Sequence, residues 1–166
     1  MNQPPIIAAP ERSSWPVTVV LRREMRQRGQ WEFPAWTLQS IEQGATESRL
    51  TETRIDDGVR EFRWSGLAVV LLRSNAETFW YNLTSARPSL FVICQEDPQY
   101  GLMPIMVTLD QDESARQQES ETEIFRMDPP TWLLEEVERF VMAHYQPEDK
   151  RGKKRRRKPQ EQTDEF

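Results

Sequence analysis

Apolar residues at every second position in the first half of the chain most constrain its fold. Val17, Val19 and Leu21 occupy alternate positions between Pro16 and Arg23, a spacing that predicts a β-strand with one buried face. Alternating or continuous apolar runs predict five further strands. They are Trp31 to Ile41 with a bulge or edge position at Pro34, Arg60 to Arg73 with a bend at Gly66, Ser89 to Gln95, Leu102 to Leu109 near an edge because of Pro104, and Ile124 to Met127.

Two shorter helices are predicted from N-cap signals. Ser74 is the expected cap of a helix that ends at Thr84, because Glu77 stands three residues on and can complete a capping box. Asp110 is the expected cap of a polar helix within Asp110 to Glu123. That segment holds six acids and one Arg, and it lacks the apolar stripe that would hold a helix on a core.

The clearest helix is predicted at the end of the folded part. Asp128 is the expected N-cap, Pro129 suits the first helical position, and the helix ends before Pro147. The residues predicted to share its inward face are Leu133, Val137, Phe140, Val141 and His144. We therefore expect a long amphipathic helix of about four and a half turns.

Polar segments set the expected boundaries of the domain. Residues 1–14 carry three prolines and are predicted to form a disordered arm, and residues 147–166 are predicted to form a disordered tail, basic and then acidic. Residues 42–58 are predicted to be a long exposed connection with a turn at its end. The expected fold is α+β, with one domain over residues 15–146. In it a mostly antiparallel sheet of five or six strands carries the short helix and the long C-terminal helix.

Charge is distributed unevenly along the 166 residues. Residues 1–149 hold 14 Arg, 24 acids and no Lys, a net charge of −10. The basic tail that follows carries +8 and comprises Lys150, Arg151, Lys153, Lys154, Arg155, Arg156, Arg157 and Lys158. Such a run predicts salt-sensitive binding to nucleic acid or to an acidic protein, without base recognition, since no aromatic residue interrupts it. A solubilising disordered end is the alternative.

The acidic segment Asp110 to Glu123 has two interpretations. The simpler one is a solvated acidic surface, and the sharper one is a docking site for a basic partner, including the basic tail of the same chain. Asp110 and Asp112 are the first pair to consider for acid–base chemistry. Ala115 stands where an EF-hand loop needs glycine, so a calcium site of that kind is excluded.

Composition excludes several classes of catalytic site. The six glycines are never closer than eight residues, whereas dinucleotide-binding and Walker A loops need glycines within about five positions. One His and one Cys cannot form a zinc site, and the GxSxG motif of serine hydrolases does not occur. We therefore predict no catalytic residue, no cofactor and no metal. Cys94 is predicted to be a buried small hydrophobic residue.

Hydropathy and the N-terminal sequence bear on the compartment. The longest apolar run, Leu67 to Leu72, has six residues, whereas a membrane-spanning helix needs about 20. The first residues lack the basic and apolar regions of a secretion signal. We therefore expect a cytoplasmic protein without a membrane contact.

A surface site is predicted around Trp80, Asn82 and His144. Asn82 places an amide beside an aromatic wall, although such residues also pack a helix onto a sheet. His144 lies near the end of the last helix, where an imidazolium interacts favourably with the helix C-terminus. An enzyme acting on a small acidic substrate would instead need a pocket that joins several arginines, namely Arg60, Arg63, Arg73 and Arg87.

Three stretches of the chain also carry a family resemblance. They are Trp31 and Trp36 in an early strand pair, Glu77-x4-Asn82-Leu83 leading into Pro88-x-Leu90-x-Val92, and Pro129-Pro130 opening the helix that carries His144 and a basic end. Over about residues 15–158 the chain resembles an uncharacterised bacterial family that is usually encoded beside formate dehydrogenase subunits. The resemblance implies a role in the assembly, cofactor insertion or regulation of a molybdenum- or tungsten-dependent formate dehydrogenase.

The resemblance and the missing catalytic motifs lead to one main hypothesis. Some members of that family carry names that suggest molybdopterin guanine dinucleotide synthesis, an activity that needs a glycine-rich phosphate loop, which this chain lacks. We therefore expect a non-catalytic accessory protein that binds a formate dehydrogenase subunit or another acidic protein. The alternative is a nucleic-acid-associated protein that binds non-specifically through the basic tail.

Overall fold

The computed structural model describes residues 10–118 and 122–145. The first nine residues of the predicted arm and the whole predicted tail, 147–166, lie outside this part. Within it the chain forms seven strands and three α-helices. In chain order they are β1 (Arg12–Arg28), β2 (Trp31–Gln43), β3 (Leu50–Asp56), β4 (Val59–Leu72), α1 (Ala76–Thr84), β5 (Leu90–Asp97), β6 (Gly101–Thr108), α2 (Gln111–Gln117), β7 (Thr122–Met127) and α3 (Thr131–His144).

The strands form two antiparallel sheets rather than the single sheet of five or six strands that we predicted. The larger sheet has the strand order β2-β1-β4-β3, and the smaller sheet has the order β6-β5-β7. β1 and β2, β3 and β4, and β5 and β6 pair through short turns, whereas β2 and β3 lie at opposite edges of the larger sheet. α1 separates β4 from β5 and so separates the sheets. The α+β class and the antiparallel pairing are confirmed. Side-chain periodicity identifies strands, but it does not identify which strands pair.

One contiguous hydrophobic core joins the inner face of the larger sheet to the smaller sheet, α1 and α3. Each fully buried Leu, Val or Phe side chain contributes about 1.5–3 kcal/mol relative to its exposed state. The rings of Phe79 in α1 and Phe140 in α3 meet edge to face, with centroids 6.4 Å apart. Other buried members are Val17, Val19, Leu21, Val69, Leu71, Leu90, Val92, Leu133 and Val137.

The predicted bend at Gly66 is confirmed as a β-bulge. Val17 pairs with Leu67, but Val19 pairs with Trp64, so β4 contains one residue more than β1 at this point. Gly66 has φ +86°, which glycine adopts readily and other residues do not. Its backbone N–H donates to the carbonyl of Ala45, 3.3 Å away, in the segment that follows β2. The bulge therefore holds that segment against β4.

Two polar segments that we predicted to be irregular contain strand residues. β1 begins at Arg12, so the predicted arm is wrong for residues 12–14, which pair with the end of β4. β3 lies within the predicted connection 42–58, and apart from Leu50 its side chains are exposed. Both additions form through backbone hydrogen bonds, which need no apolar repeat. The predicted turn at the end of this connection is confirmed at Gly58, where φ is +72°.

Proline positions agree with the sheet edges. β2 and β6, the strands that contain Pro34 and Pro104, are both edge strands, as predicted. The predicted bulge at Pro34 is wrong, because the register between β1 and β2 shifts between Val20 and Leu21, opposite Gln39. The edge position alone accounts for Pro34, because an edge strand tolerates a residue that cannot donate a hydrogen bond on its open side.

Two of the three predicted helix caps differ from the structure. Asn75 rather than Ser74 precedes α1, and no side chain caps the helix, because a 3₁₀ turn leads into it. Pro130 rather than Asp128 precedes α3 and accepts the first backbone hydrogen bonds. The carboxylate of Asp128 instead accepts a bond of 3.2 Å from Arg87.

Asp110 caps α2 as predicted, and its side chain accepts bonds from the backbone of Asp112 and Glu113. The expectation that nothing holds this helix on the core is wrong, because Ser114 is buried and Asn75 donates to Asp110 at 3.3 Å. The last helix, α3, has 14 residues and buries Leu133, Val137, Phe140 and Val141. No described helix is long and apolar enough to cross a membrane.

The bulge can be tested by substitution. Gly66→Ala is expected to lower the free energy of unfolding by about 2–4 kcal/mol, because strain at positive φ adds to a steric clash. The added Cβ would lie 2.5 Å from the Cα of Ser48. Gly29→Ala is the matched control, since Gly29 also has positive φ but no atom within 4 Å of the added carbon. It should cost only about 1 kcal/mol. Urea unfolding measures both, and equal losses would contradict the role of the bulge.

Candidate functional site

Asn82, the centre of the predicted surface site, is buried, and its side-chain amide is hydrogen-bonded to backbone groups inside the domain. Its amide nitrogen donates to the carbonyls of Ser89 at 2.8 Å and Leu109 at 2.7 Å. Its amide oxygen accepts from the backbone N–H of Ser89 at 2.9 Å. Asn82 therefore joins α1 to the start of β5 and the end of β6. This corrects the prediction of a ligand-binding amide and supports the packing alternative.

Trp80 and His144 make separate contacts. Trp80 is half-buried against the ring of Tyr145, with centroids 5.7 Å apart. His144, the last residue of α3, packs on Phe140 at 4.5 Å, and its Nε2 lies 2.7 Å from the carbonyl oxygen of Pro10. Since Asn82 is inside the domain, these three residues do not form one surface site.

The four arginines proposed for an acidic substrate pocket do not converge. Each pairs with a carboxylate in a different place: Arg60 with Glu52, Arg63 with Glu42 and Glu61, Arg73 with Glu11, and Arg87 with Asp128. The arginine side chains of these pairs are 38–63% exposed, so each pair contributes about 0–1 kcal/mol. The pocket that an enzyme for a small acidic substrate would need from these four arginines is therefore not formed.

The carboxylates of the acidic segment act locally in the structure. Asp110 caps α2, and Glu113 pairs with Arg116, whose hydrogen bond holds the pKa of Glu113 below its usual value. Among the described residues, no group of three or more His, Cys, Asp or Glu side chains could hold a metal ion. The basic tail lies outside residues 10–145, so its contact with this segment stays a prediction.

The tip of the β1–β2 hairpin carries a different candidate, which the sequence reasoning missed. In the register of the hairpin, Arg28 stands opposite Trp31 and Arg26 stands opposite Phe33. Directly opposed residues lie on the same face of a sheet. Arg26, Arg28, Trp31 and Phe33 therefore share the outer face of this tip, and we call them the hairpin surface.

The hairpin surface is open to solvent. Trp31 is 80% exposed and Phe33 is 41% exposed. One member of the hairpin surface, Arg26, forms an ion pair: its guanidinium lies 3.6 Å from the carboxylate of Glu24. The pairing of β4 with β1 ends at Glu24, so beyond this residue the hairpin projects as two strands. A projecting pair of strands with exposed aromatic and arginine side chains is suited to contact with another molecule.

The inner face of the same hairpin carries a cluster of aromatic rings around an arginine. The guanidinium carbon of Arg23 lies 5.8 Å from the ring centroid of Trp36 and 5.3 Å from that of Phe62. Tyr100, in the turn between β5 and β6, stands edge-on to Phe62 and to Trp64. We call Arg23, Trp36, Phe62, Trp64 and Tyr100 the arginine–aromatic cluster. It anchors the β5–β6 turn of the smaller sheet to the larger sheet.

A local charge count would have found the hairpin. Residues 22–28 contain four arginines and one glutamate, although residues 1–149 as a whole are strongly acidic. Trp31 and Phe33 follow after the turn at Gly29, at the spacing that places them on one face. The net charge of residues 1–149, which is −10, does not reveal this basic stretch.

Comparison with known proteins gives a family for the chain. The model of DUF3305, a family of proteins of unknown function, matches residues 16–157. The chain belongs to the DUF3305 family. A search of curated proteins and a search of solved structures each found no match. The DUF3305 match includes the hairpin surface, the arginine–aromatic cluster and all of the basic tail except Lys158.

The single cysteine of this DUF3305 protein is buried in the hydrophobic core. Cys94 in β5 is fully buried, as predicted. Burial raises the pKa of its thiol from 9.0 to about 12, and the nearby carboxylate of Glu123 adds to this shift. A thiol that stays protonated is a poor nucleophile, which agrees with a packing role.

The Asn82 contacts predict a large loss of stability on substitution. Asn82→Ala is expected to lower the free energy of unfolding by about 2–4 kcal/mol, because it leaves buried backbone groups of Ser89 and Leu109 without partners. Thr84→Ala is the matched control on the same helix, since Thr84 is exposed and bonds only the carbonyl of Trp80. That control should change stability by about 0.5 kcal/mol or less. Denaturant unfolding compares the two, and a mild Asn82→Ala variant would count against the joining role.

The Cys94 thiol predicts a specific alkaline destabilisation. Its pKa is higher in the folded chain than in the unfolded chain, so its contribution is complete below pH 9.0 and is lost as the pH rises toward about 12. At pH 10 the wild type should lose about 1 kcal/mol more than Cys94→Ala does, relative to pH 8. Unfolding curves of both proteins at the two pH values measure this difference. Parallel losses would show that the thiol ionises equally in both states.

Proposed function

We propose that this DUF3305 protein is a non-catalytic accessory protein that binds its partner through the hairpin surface. The observation that carries the proposal is the position of Trp31, 80% exposed beside Arg28 and on the same face as Phe33. Isolated exposed apolar residues are common on protein surfaces, but Trp and Arg side by side are typical of residues that dominate binding energy.

The hairpin surface has enough apolar area to support a specific contact. A fully exposed Trp or Phe side chain offers about 150–250 Å², of which Trp31 still exposes 80% and Phe33 41%. Burial of apolar area stabilises by about 25 cal/mol per Å². Several kilocalories per mole are therefore available before the cost of association. Pairing of β2 with β1 also fixes the backbone at Trp31 and Phe33, which lowers the conformational entropy lost on binding.

Charge favours an acidic protein as the partner. Arg26 and Arg28 offer guanidinium groups to carboxylates, which they bind in a bidentate manner. We propose that the partner is a formate dehydrogenase subunit or its immature form, bound in the cytoplasm during assembly, cofactor insertion or regulation. The support for this choice is the sequence resemblance, together with the acid-binding character of the hairpin surface.

Nucleic acid is the second candidate. The exposed rings of Trp31 and Phe33, which lie beside arginines of β1, could stack on nucleic-acid bases. The basic tail could bind phosphate groups. Against this, residues 1–149 carry a net charge of −10, which repels a polyanion over most of the surface of the domain. The local arginines of the hairpin suit a partner with a small acidic patch better than an extended polyanion.

The test removes the two aromatic side chains together. Trp31→Ala with Phe33→Ala is expected to weaken binding to the formate dehydrogenase subunit by about 10-fold or more. Its stability should change by about 1 kcal/mol or less, because both side chains are exposed. Affinity is measured by calorimetry with the purified subunit. Met142→Ala is the matched control, since Met142 is 73% exposed on α3, and it should bind as the wild type does.

Three results would contradict the proposal. One is equal binding by the double variant and by Met142→Ala. Another is loss of binding only when residues 150–158 are deleted, which would move the contact to the basic tail. The third is salt-sensitive binding to single-stranded DNA that the hairpin variant loses, without binding to the dehydrogenase subunit, which would favour nucleic acid.

A further inference from the structure

Arg23 occupies a fixed position on the inner face of the hairpin. It stands opposite Trp36 of β2 and opposite Arg60 of β4. The rings of Trp36 and Phe62 both lie within 6 Å of its guanidinium carbon, a distance that allows cation–π attraction. These rings restrict the guanidinium, so its donors are held in place before any ligand arrives.

The charge of Arg23 has no counter-ion within the described residues. Arg60, which stands opposite Arg23 on β4, pairs with Glu52, whereas Arg23 makes no ion pair with any described residue. Its Nε is buried and has no hydrogen-bond partner. A half-buried charge without a counter-ion is costly, so a ligand that supplies a negative charge beside the guanidinium would stabilise this arrangement.

The free side of Arg23 points to a ligand that accepts hydrogen bonds. Nε is the one nitrogen of this guanidinium that is buried without a partner. Because no described residue bonds the two terminal amino groups, these groups are open to solvent. Guanidinium edges bind carboxylate and phosphate oxygens with two parallel hydrogen bonds. Arg60 brings a second guanidinium to the same face, since directly opposed residues have Cβ atoms about 5 Å apart.

We propose that Arg23 is an oxyanion-binding residue and that Arg60 is its second donor. The ligand contributes a carboxylate or a phosphate group, which lies at the edge of the Arg23 guanidinium while the rings of Trp36 and Phe62 cover its plane. Arg60 already bonds Glu52 at 2.8 Å, so it shares its charge between Glu52 and the ligand. Arg23 therefore contributes more to affinity than Arg60 does.

This site goes beyond the proposed function and does not depend on it. Residues alternate between the two faces of a strand, so Arg23 lies on the opposite face of the hairpin from Arg26 and Arg28. Loss of partner binding at the hairpin surface leaves the oxyanion site intact, and the reverse also holds. The two proposals can therefore fail separately.

The experiment follows arginine side chains by NMR in the full chain labelled with ¹⁵N-arginine. Sodium acetate and inorganic phosphate are added in separate titrations at constant ionic strength. The Nε–H signal of Arg23 is expected to shift and saturate at about millimolar concentrations of one or both anions. Saturation by acetate identifies a carboxylate ligand, and saturation by phosphate alone identifies a phosphate ligand.

Variants separate this site from general anion effects. Arg23→Lys keeps the charge but loses the planar donors, so affinity, followed in this variant by the Nε–H signal of Arg60, should fall by about 10-fold or more. Arg60→Gln leaves the aromatic contacts of Arg23 intact and should weaken binding by about threefold. Arg139→Gln is the matched control, because Arg139 is exposed and pairs with Glu136 on α3, and it should bind as the wild type does.

The outcomes that overturn the proposal are equally specific. An Arg23 signal that does not move, or that shifts linearly without saturation, excludes a site. Equal effects of Arg23→Lys and Arg139→Gln would assign the binding to general surface charge. Arg60→Gln keeps the proposal testable if Arg23→Lys fails to fold, because it removes a donor that is outside the arginine–aromatic cluster.

Discussion

The pairing of β1 along both of its edges is the constraint on which the rest of the structure depends. β1 binds β2 on one side and β4 on the other, and Val17 to Leu21 are buried on both faces of the strand. Because this segment is paired along both edges and buried on both faces, its register cannot shift. One bulge in β2 and one in β4, both paired with this segment, fix the register further. The inner face of β1 supports the core, and its far end positions both proposed binding sites.

The same register also places the two proposed binding sites on opposite faces of one hairpin. Even-numbered Arg26 and Arg28 lie outward beside Trp31 and Phe33, whereas odd-numbered Arg23 lies inward against Trp36. A slip of one residue would exchange these faces, expose Trp36 and place Arg26 against the core. The bulges at Gly66 in β4 and at Gln39 in β2 therefore protect the binding surfaces as well as the packing.

Much of the fold could be predicted from the sequence, but the candidate site could not. The strands with apolar alternation or apolar runs, such as β1 and β5, were found because burial leaves a side-chain pattern. β3 was missed because its pairing to β4 is a property of the backbone. Asn82 was misread because its three partners are backbone groups of Ser89 and Leu109, which lie 7 and 27 residues away and leave no side-chain pattern. The hairpin surface depends on a register that no single segment encodes.

The charged edge of the larger sheet has a consequence for self-association. β3 is an edge strand whose exposed side chains include Glu52, Arg54 and Asp56, and the opposite edge strand, β2, contains Pro34, which cannot donate a hydrogen bond. Charges and proline both hinder the addition of a further strand. An open sheet would otherwise offer unpaired backbone groups to another copy of the chain and polymerise edge to edge. The molecule can therefore display a hydrophobic hairpin tip in solution without its sheet becoming a template for fibres.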